Sequence, residues 1–138
     1  MQPGASPVPV LDLGGILLVS IQGELPDHAA VDLRTDVTLA VSSTGARGVI
    51  IDISGLDMVD SFLARVLAEL AASARLLAAQ AVLVGMRPSV AITLVELGLT
   101  LPGLDTARTL SEAASRFGVE IRETGTRLAA RDTDWDQS

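Results

Sequence analysis

The chain has 138 residues, no cysteine, no tyrosine and a net charge of −7. That length fits one domain with a sizeable core, and the missing cysteines exclude disulfides, thiol catalysis and thiolate metal sites. The acidic balance without a basic run argues against nucleic acid and anionic membrane surfaces, and no apolar run reaches the ~18 residues of a membrane span.

Hydrophobic residues make up 49% of the chain but aromatics only 2%, so the core must be built from Leu, Val, Ile and Ala. All ten basic residues are Arg. Without Lys there is no Schiff-base amine, no phosphate-gripping P-loop lysine and no receiver-domain lysine. The first residues lack the basic and apolar regions of a signal peptide, and a soluble cytoplasmic domain is expected.

Residues 1–7 are rich in Pro and Gly and are expected to fray. Val8 to Leu13 is a short strand candidate, and Pro9 favours an edge position. Gly14-Gly15 reads as a tight turn into a second strand, Ile16 to Ile21. Leu25-Pro26-Asp27 opens a helix with Asp27 as its expected N-cap. Ala30, Leu33, Val37, Ala40, Val41 and Thr44 form its apolar stripe, and Gly45 ends it.

Gly48 to Ile53 is almost continuously apolar and β-branched, the pattern of a central strand covered on both faces. An acidic loop follows. Ser61 to Ala79 reads as a helix buried through Leu63, Val66, Leu67, Leu70, Ala74 and Leu77, with an Arg65–Glu69 pair on its wet face. Ala81 to Gly85 is another buried strand. Pro88 opens a helix whose inner face is expected at Ala91, Leu94 and Val95, ending at Gly98. Leu104 to Arg108 reads as a short edge strand and Ser111 to Phe117 as a short helix, with Leu110 entering the core.

From Gly118 the pattern fails. The remainder, with Asp132, Asp134, Asp136 and Trp135, is expected to be a polar, disordered tail. Strands alternating with helices predict a single α/β domain over 8–117, with right-handed crossovers and a mixed, mostly parallel sheet that the opening hairpin begins.

The chemistry concentrates where the central strand runs into the second long helix, through Asp52, Asp57, Asp60 and Ser61. Ser61 reads either as that helix's N-cap or as a hydroxyl used chemically. An internal nucleophile needs a base. The single His28 lies far off in sequence and reads as helix-start surface, and the neighbouring carboxylates are poor bases. Phosphorylation by another protein needs no internal base. Phosphate at a helix start gains from the dipole but stands beside Asp57 and Asp60. The three carboxylates read as a solvated acidic loop, with Mg²⁺ binding as the minor alternative. They match neither a receiver domain, which needs an acidic pair after its first strand, nor a haloacid-type phosphatase, because Ser54 follows Asp52 at the needed position.

The run from Ile51 to Phe62 resembles the signature of STAS domains, the anti-sigma-factor antagonists. Leu17 to Gln22, Val84-Gly85-Met86-Arg87-Pro88 and Thr93 to Gly98 extend the resemblance, over about residues 8–117, to the stressosome scaffold subunit of the RsbS type. The resemblance implies a non-enzymatic regulatory scaffold without cofactor or metal. It implies a SpoIIAA-like fold with Ser61 phosphorylated by a serine/threonine kinase of the histidine-kinase-like fold. Asp57, Met58, Asp60 and Phe62 would lie in the partner-binding surface around that site. The implied cycle sequesters the kinase in a large homo- or hetero-oligomer with sensory STAS paralogues. Phosphorylation releases the kinase, and a PP2C-type phosphatase resets the serine. An anti-anti-sigma factor binding an anti-sigma kinase directly is the alternative circuit, and a metal-dependent phosphatase the minor one.

Overall fold

The structure, a computed structural model, describes residues 8–98 and 103–120. The elements run β1 (Val10–Asp12), β2 (Ile16–Gly23), α1 (Asp27–Thr44), β3 (Gly48–Leu56), α2 (Ser61–Leu76), β4 (Gln80–Val84), α3 (Pro88–Glu96), β5 (Leu104–Ala107) and α4 (Leu110–Ser115). This is the order expected from the sequence. The five strands form one sheet in the order β1-β2-β3-β4-β5. β1 and β2 are antiparallel, and every later pairing is parallel.

The hairpin rests on two glycines with positive φ, Gly14 at 75° and Gly15 at 94°, which residues with a Cβ adopt only at a cost. Leu13 N–H closes the turn on the Ile16 carbonyl at 2.7 Å, and the Asp12 carboxylate accepts the Gly15 N–H at 3.0 Å.

Alternation along the strands builds two cores. Leu17, Val19, Ile21, Val49, Ile51, Ile53 and Leu83 pack with Leu33, Val37 and Val41 of α1, Leu63, Leu67 and Leu70 of α2, and Val90 and Leu94 of α3. On the opposite face Ile16, Ile50, Val82 and Val84 meet Ala113 and Ala114 of α4, with Leu110, Phe117 and Val119 partly buried against them. The continuous apolar run of β3 therefore has the physical cause expected of it: helices cover both faces. Val119 still packs on this second core. Trp135 and the three tail aspartates lie outside the described residues.

Several local expectations are corrected. Pro26, not Asp27, is the N-cap of α1, and it offers no side-chain hydrogen bond. Asp27 sits in the first turn, where its charge suits the helix dipole. Thr44 is exposed, its hydroxyl donating to the Ala40 carbonyl at 2.7 Å. On α3 the inward residues are Val90 and Leu94, while Val95 is 78% exposed. Glu69 pairs with Arg34 of α1, not with Arg65. A contact between helices thus displaces the one-turn pair that spacing suggested.

α2 ends at Leu76, three residues earlier than its sequence pattern suggests, and Leu77 is half-exposed. Ala78 takes the left-handed conformation at φ 65°. Its N–H bonds the Arg75 carbonyl at 3.0 Å, and Ala79 N–H bonds the Ala74 carbonyl at 2.8 Å. These two bonds form a Schellman stop built on alanine where glycine is usual. Gly45 and Gly98, both with positive φ, end α1 and α3 as expected.

Candidate functional site

The parallel register carries β2, β3 and β4 to one rim of the sheet, where Ser20 stands beside Asp52 and Asp52 beside Val84. From this rim β3 passes through residues 57–60 into α2. Three contacts, made by Gly23 and Arg87, fix the start of this loop. Asp57 N–H reaches the Gly23 carbonyl at 3.4 Å. The Arg87 guanidinium donates through Nε to the Ser54 carbonyl at 3.0 Å and lies 3.9 Å from the Asp57 carboxylate. Val59 is buried and anchors the loop from within.

Asp60, not Ser61, is the N-cap of α2. Its extended backbone (φ −93°, ψ 178°) turns the carboxylate onto the Leu63 N–H at 2.8 Å. The capping role expected of Ser61 is therefore corrected. Ser61 is the first helical residue and is exposed, and its hydroxyl makes no hydrogen bond among the described residues. Asp and Ser cap helices about equally well, so the position of the extended residue decides the matter.

Two apolar side chains flank this hydroxyl, Met58 at 69% exposure and Phe62 at 37%. A shallow groove of about 260 Å³ lies between the start of α1 and the start of α2, lined by Glu24, Leu25, Pro26, Met58, Asp60 and Leu63. Of the residues expected around Ser61, Asp57, Met58, Asp60 and Phe62 all fall on the β3–α2 loop and the first turn of α2.

Asp52 does not join them. Alternation places it on the Ile50 face of β3, and its carboxylate accepts the Ser54 N–H at 2.9 Å. Among the described residues no group of three His, Asp or Glu side chains forms that could hold a metal ion. The carboxylate trio of the metal alternative is thus not brought together. His28 is exposed in the first turn of α1.

Sequence reasoning missed Arg87 as the tie between the β4–α3 junction and the Ser61 loop. Its position before Pro88 marks a helix start, but nothing in the sequence says that its side chain crosses back to β3. Asp60 as cap had a signal: Asp three residues before the apolar Leu63 is a common cap spacing.

A single α/β domain presenting a free serine at a helix start, between two exposed apolar residues, is the class of protein that this geometry defines. Residues 8–113 match the STAS domain, and the chain belongs to that family. It is related to the RsbR and RsbS proteins, an anti-sigma-factor-antagonist branch of the family. It is 30% identical over 116 residues to the RsbT co-antagonist protein RsbRD of Bacillus subtilis, covering 84% of this chain and 41% of that one. It spans 38% of a second such protein, RsbRA, so it corresponds to about two fifths of these curated relatives. The fold overlays RsbS of Moorella thermoacetica, in a variant with one serine replaced by glutamate, with a TM-score of 0.73 and 36% identity. That overlay covers 82% of this chain and 96% of that one. A chain from the molecular architecture of the stressosome, described as a signal integration and transduction hub, overlays with a TM-score of 0.67 and 33% identity, covering 80% and 96%. No helix among the described residues is long and apolar enough to cross a membrane.

Proposed function

We propose that the protein is a non-enzymatic scaffold of a cytoplasmic, partner-switching stress response, and that its switch is the phosphorylation of Ser61. The observation that carries this reading is the division of labour at the start of α2. Asp60 occupies the cap, which leaves the Ser61 hydroxyl exposed and free of hydrogen bonds among the described residues. Such a hydroxyl can be modified without dismantling the helix start. No cysteine, lysine or adjacent histidine is present to make it a nucleophile of its own.

The partner is a serine/threonine kinase of the histidine-kinase-like fold. In the unphosphorylated state the kinase docks over Ser61, with Met58 and Phe62 as apolar contacts and Asp57 and Asp60 as the polar surround. Phosphate adds roughly −1.5 to −2 charge at this spot. Placed against the two carboxylates, it turns a mildly acidic apolar patch into a strongly anionic one, and the kinase is released. A PP2C-type phosphatase reverses the step. The likeness to RsbS and to the stressosome chain supports co-assembly with sensory STAS paralogues in a large particle.

The test is binding of the cognate kinase to the wild type, Ser61→Ala and Ser61→Asp, with the phosphosite mapped by mass after incubation with ATP. Release is expected from Ser61→Asp alone. Equal binding by both variants, or phosphate mapped elsewhere, overturns the reading. Particle mass with and without paralogues separates a scaffold from an anti-anti-sigma factor that binds its kinase one to one.

A further inference from the structure

We infer that Arg65 is the intramolecular receptor of a phosphate on Ser61, so that modification withdraws a cation from the docking surface while it adds an anion. This inference rests on Ser61 as the modified residue. Three observations support it.

Arg65 stands four residues after Ser61 in α2, and both side chains are exposed. That spacing stacks them on one face, with Cβ atoms about 5–6 Å apart. Helical side chains also lean toward the N-terminus, so the Arg65 side chain points back over the turn that holds Ser61.

Arg65 is uncommitted. The carboxylate that its own helix offers at the next turn, Glu69, is taken by Arg34 of α1. Arg65 has no hydrogen bond or ion pair among the described residues.

The other nearby charges are spoken for. Arg87 is tied to the Ser54 carbonyl and faces Asp57. The Asp60 carboxylate holds the Leu63 N–H. Asp57 and Asp60 both repel a phosphate on Ser61, and the guanidinium at Arg65 is the cation in the first two turns of α2 that can offset them. A planar guanidinium can take two phosphate oxygens at once, which a lysine ammonium cannot. The Arg34–Glu69 pair, remote from the switch in sequence, thereby keeps Arg65 available for it.

The test uses the full chain with phosphoserine installed directly at position 61, which requires no kinase. The second ionisation of the phosphate is followed by phosphorus NMR across pH, in the wild type and in Arg65→Gln, Arg65→Lys and Arg87→Gln backgrounds. At low salt the wild-type phosphate is expected to ionise roughly 0.2–0.4 of a unit lower than in Arg65→Gln, with Arg65→Lys between them. The gap should shrink in ~1 M salt as the charges are screened. Asp57 and Asp60 are present in every variant, so the difference isolates Arg65. Equal titration in the wild type and Arg65→Gln overturns the inference, as does a larger effect from Arg87→Gln. Failure of any kinase to label Ser61, with the phosphate still responding to Arg65, would count against the proposed function and not against this contact.

Discussion

The Asp60 carboxylate holds the Leu63 N–H at 2.8 Å and so takes the capping duty at the entrance to α2 away from Ser61. Asp60→Ala should therefore cost about 1 kcal/mol of stability. Ser61→Ala should stay within about 0.5 kcal/mol of the wild type, as surface substitutions usually do. Urea midpoints of the two variants check this. The reverse order would return the cap to Ser61.

Ala78 ends α2 in a left-handed conformation at φ 65°. A left-handed residue with a Cβ costs roughly 1–2 kcal/mol, and glycine gives back ~0.4–1 kcal/mol through the freer unfolded chain. Ala78→Gly should then stabilise the protein by about 0.5–1 kcal/mol, read as a higher denaturation midpoint with an unchanged slope. A drop in stability would show that the strain is absorbed elsewhere.

Gly48 begins β3 beneath the Phe117 ring, and a Cβ there would collide with the ring carbons. The Phe117 ring is partly buried against the second core, which limits how far it can swing away. Gly48→Ala should cost about 1–3 kcal/mol through overpacking. The same change in a Phe117→Leu background should cost less, and a double-mutant cycle measures the coupling.

Met58 and Phe62 are exposed apolar side chains beside Ser61. If they anchor a kinase, Met58→Ala and Phe62→Ala should each weaken its binding about tenfold, near 1.4 kcal/mol. Met58→Ala should leave stability within about 0.5 kcal/mol, because little of that side chain is buried. Titration calorimetry with the kinase provides the binding measurement.

How legible this molecule is from its sequence depends on whether the deciding contact is local. The strands could be read because β3 is apolar at almost every position and the hairpin is marked by two adjacent glycines. Expectation failed where the third dimension decides. Val95 and Val90 are equally apolar, and only the face on which α3 packs against the core selects Val90. Glu69 has Arg65 one turn away on its own helix, yet Arg34 of the neighbouring helix takes it. The site was legible as a stretch, Asp57 to Phe62. The exchange of roles between Asp60 and Ser61 was legible only in part: the spacing from Asp60 to Leu63 favoured Asp60, but both residue types cap helices, and the extended backbone at Asp60 settles it. Arg87 was invisible as a loop tie, since its partners Ser54 and Asp57 lie some thirty residues earlier in the chain.

Every strand lies beside its neighbour in sequence, in the order β1-β2-β3-β4-β5. During synthesis the sheet can therefore grow by adding one strand to an open edge, without ever inserting a strand between two already placed. Each parallel pairing spans a single crossover, as from Ile16 to Gly48 and from Gly48 to Gln80, so the sheet can assemble strand by strand as the chain emerges from the ribosome. The β3–α2 junction would then be fixed before the Arg87 tie exists, and the switch region would take its final shape only once α3 has emerged.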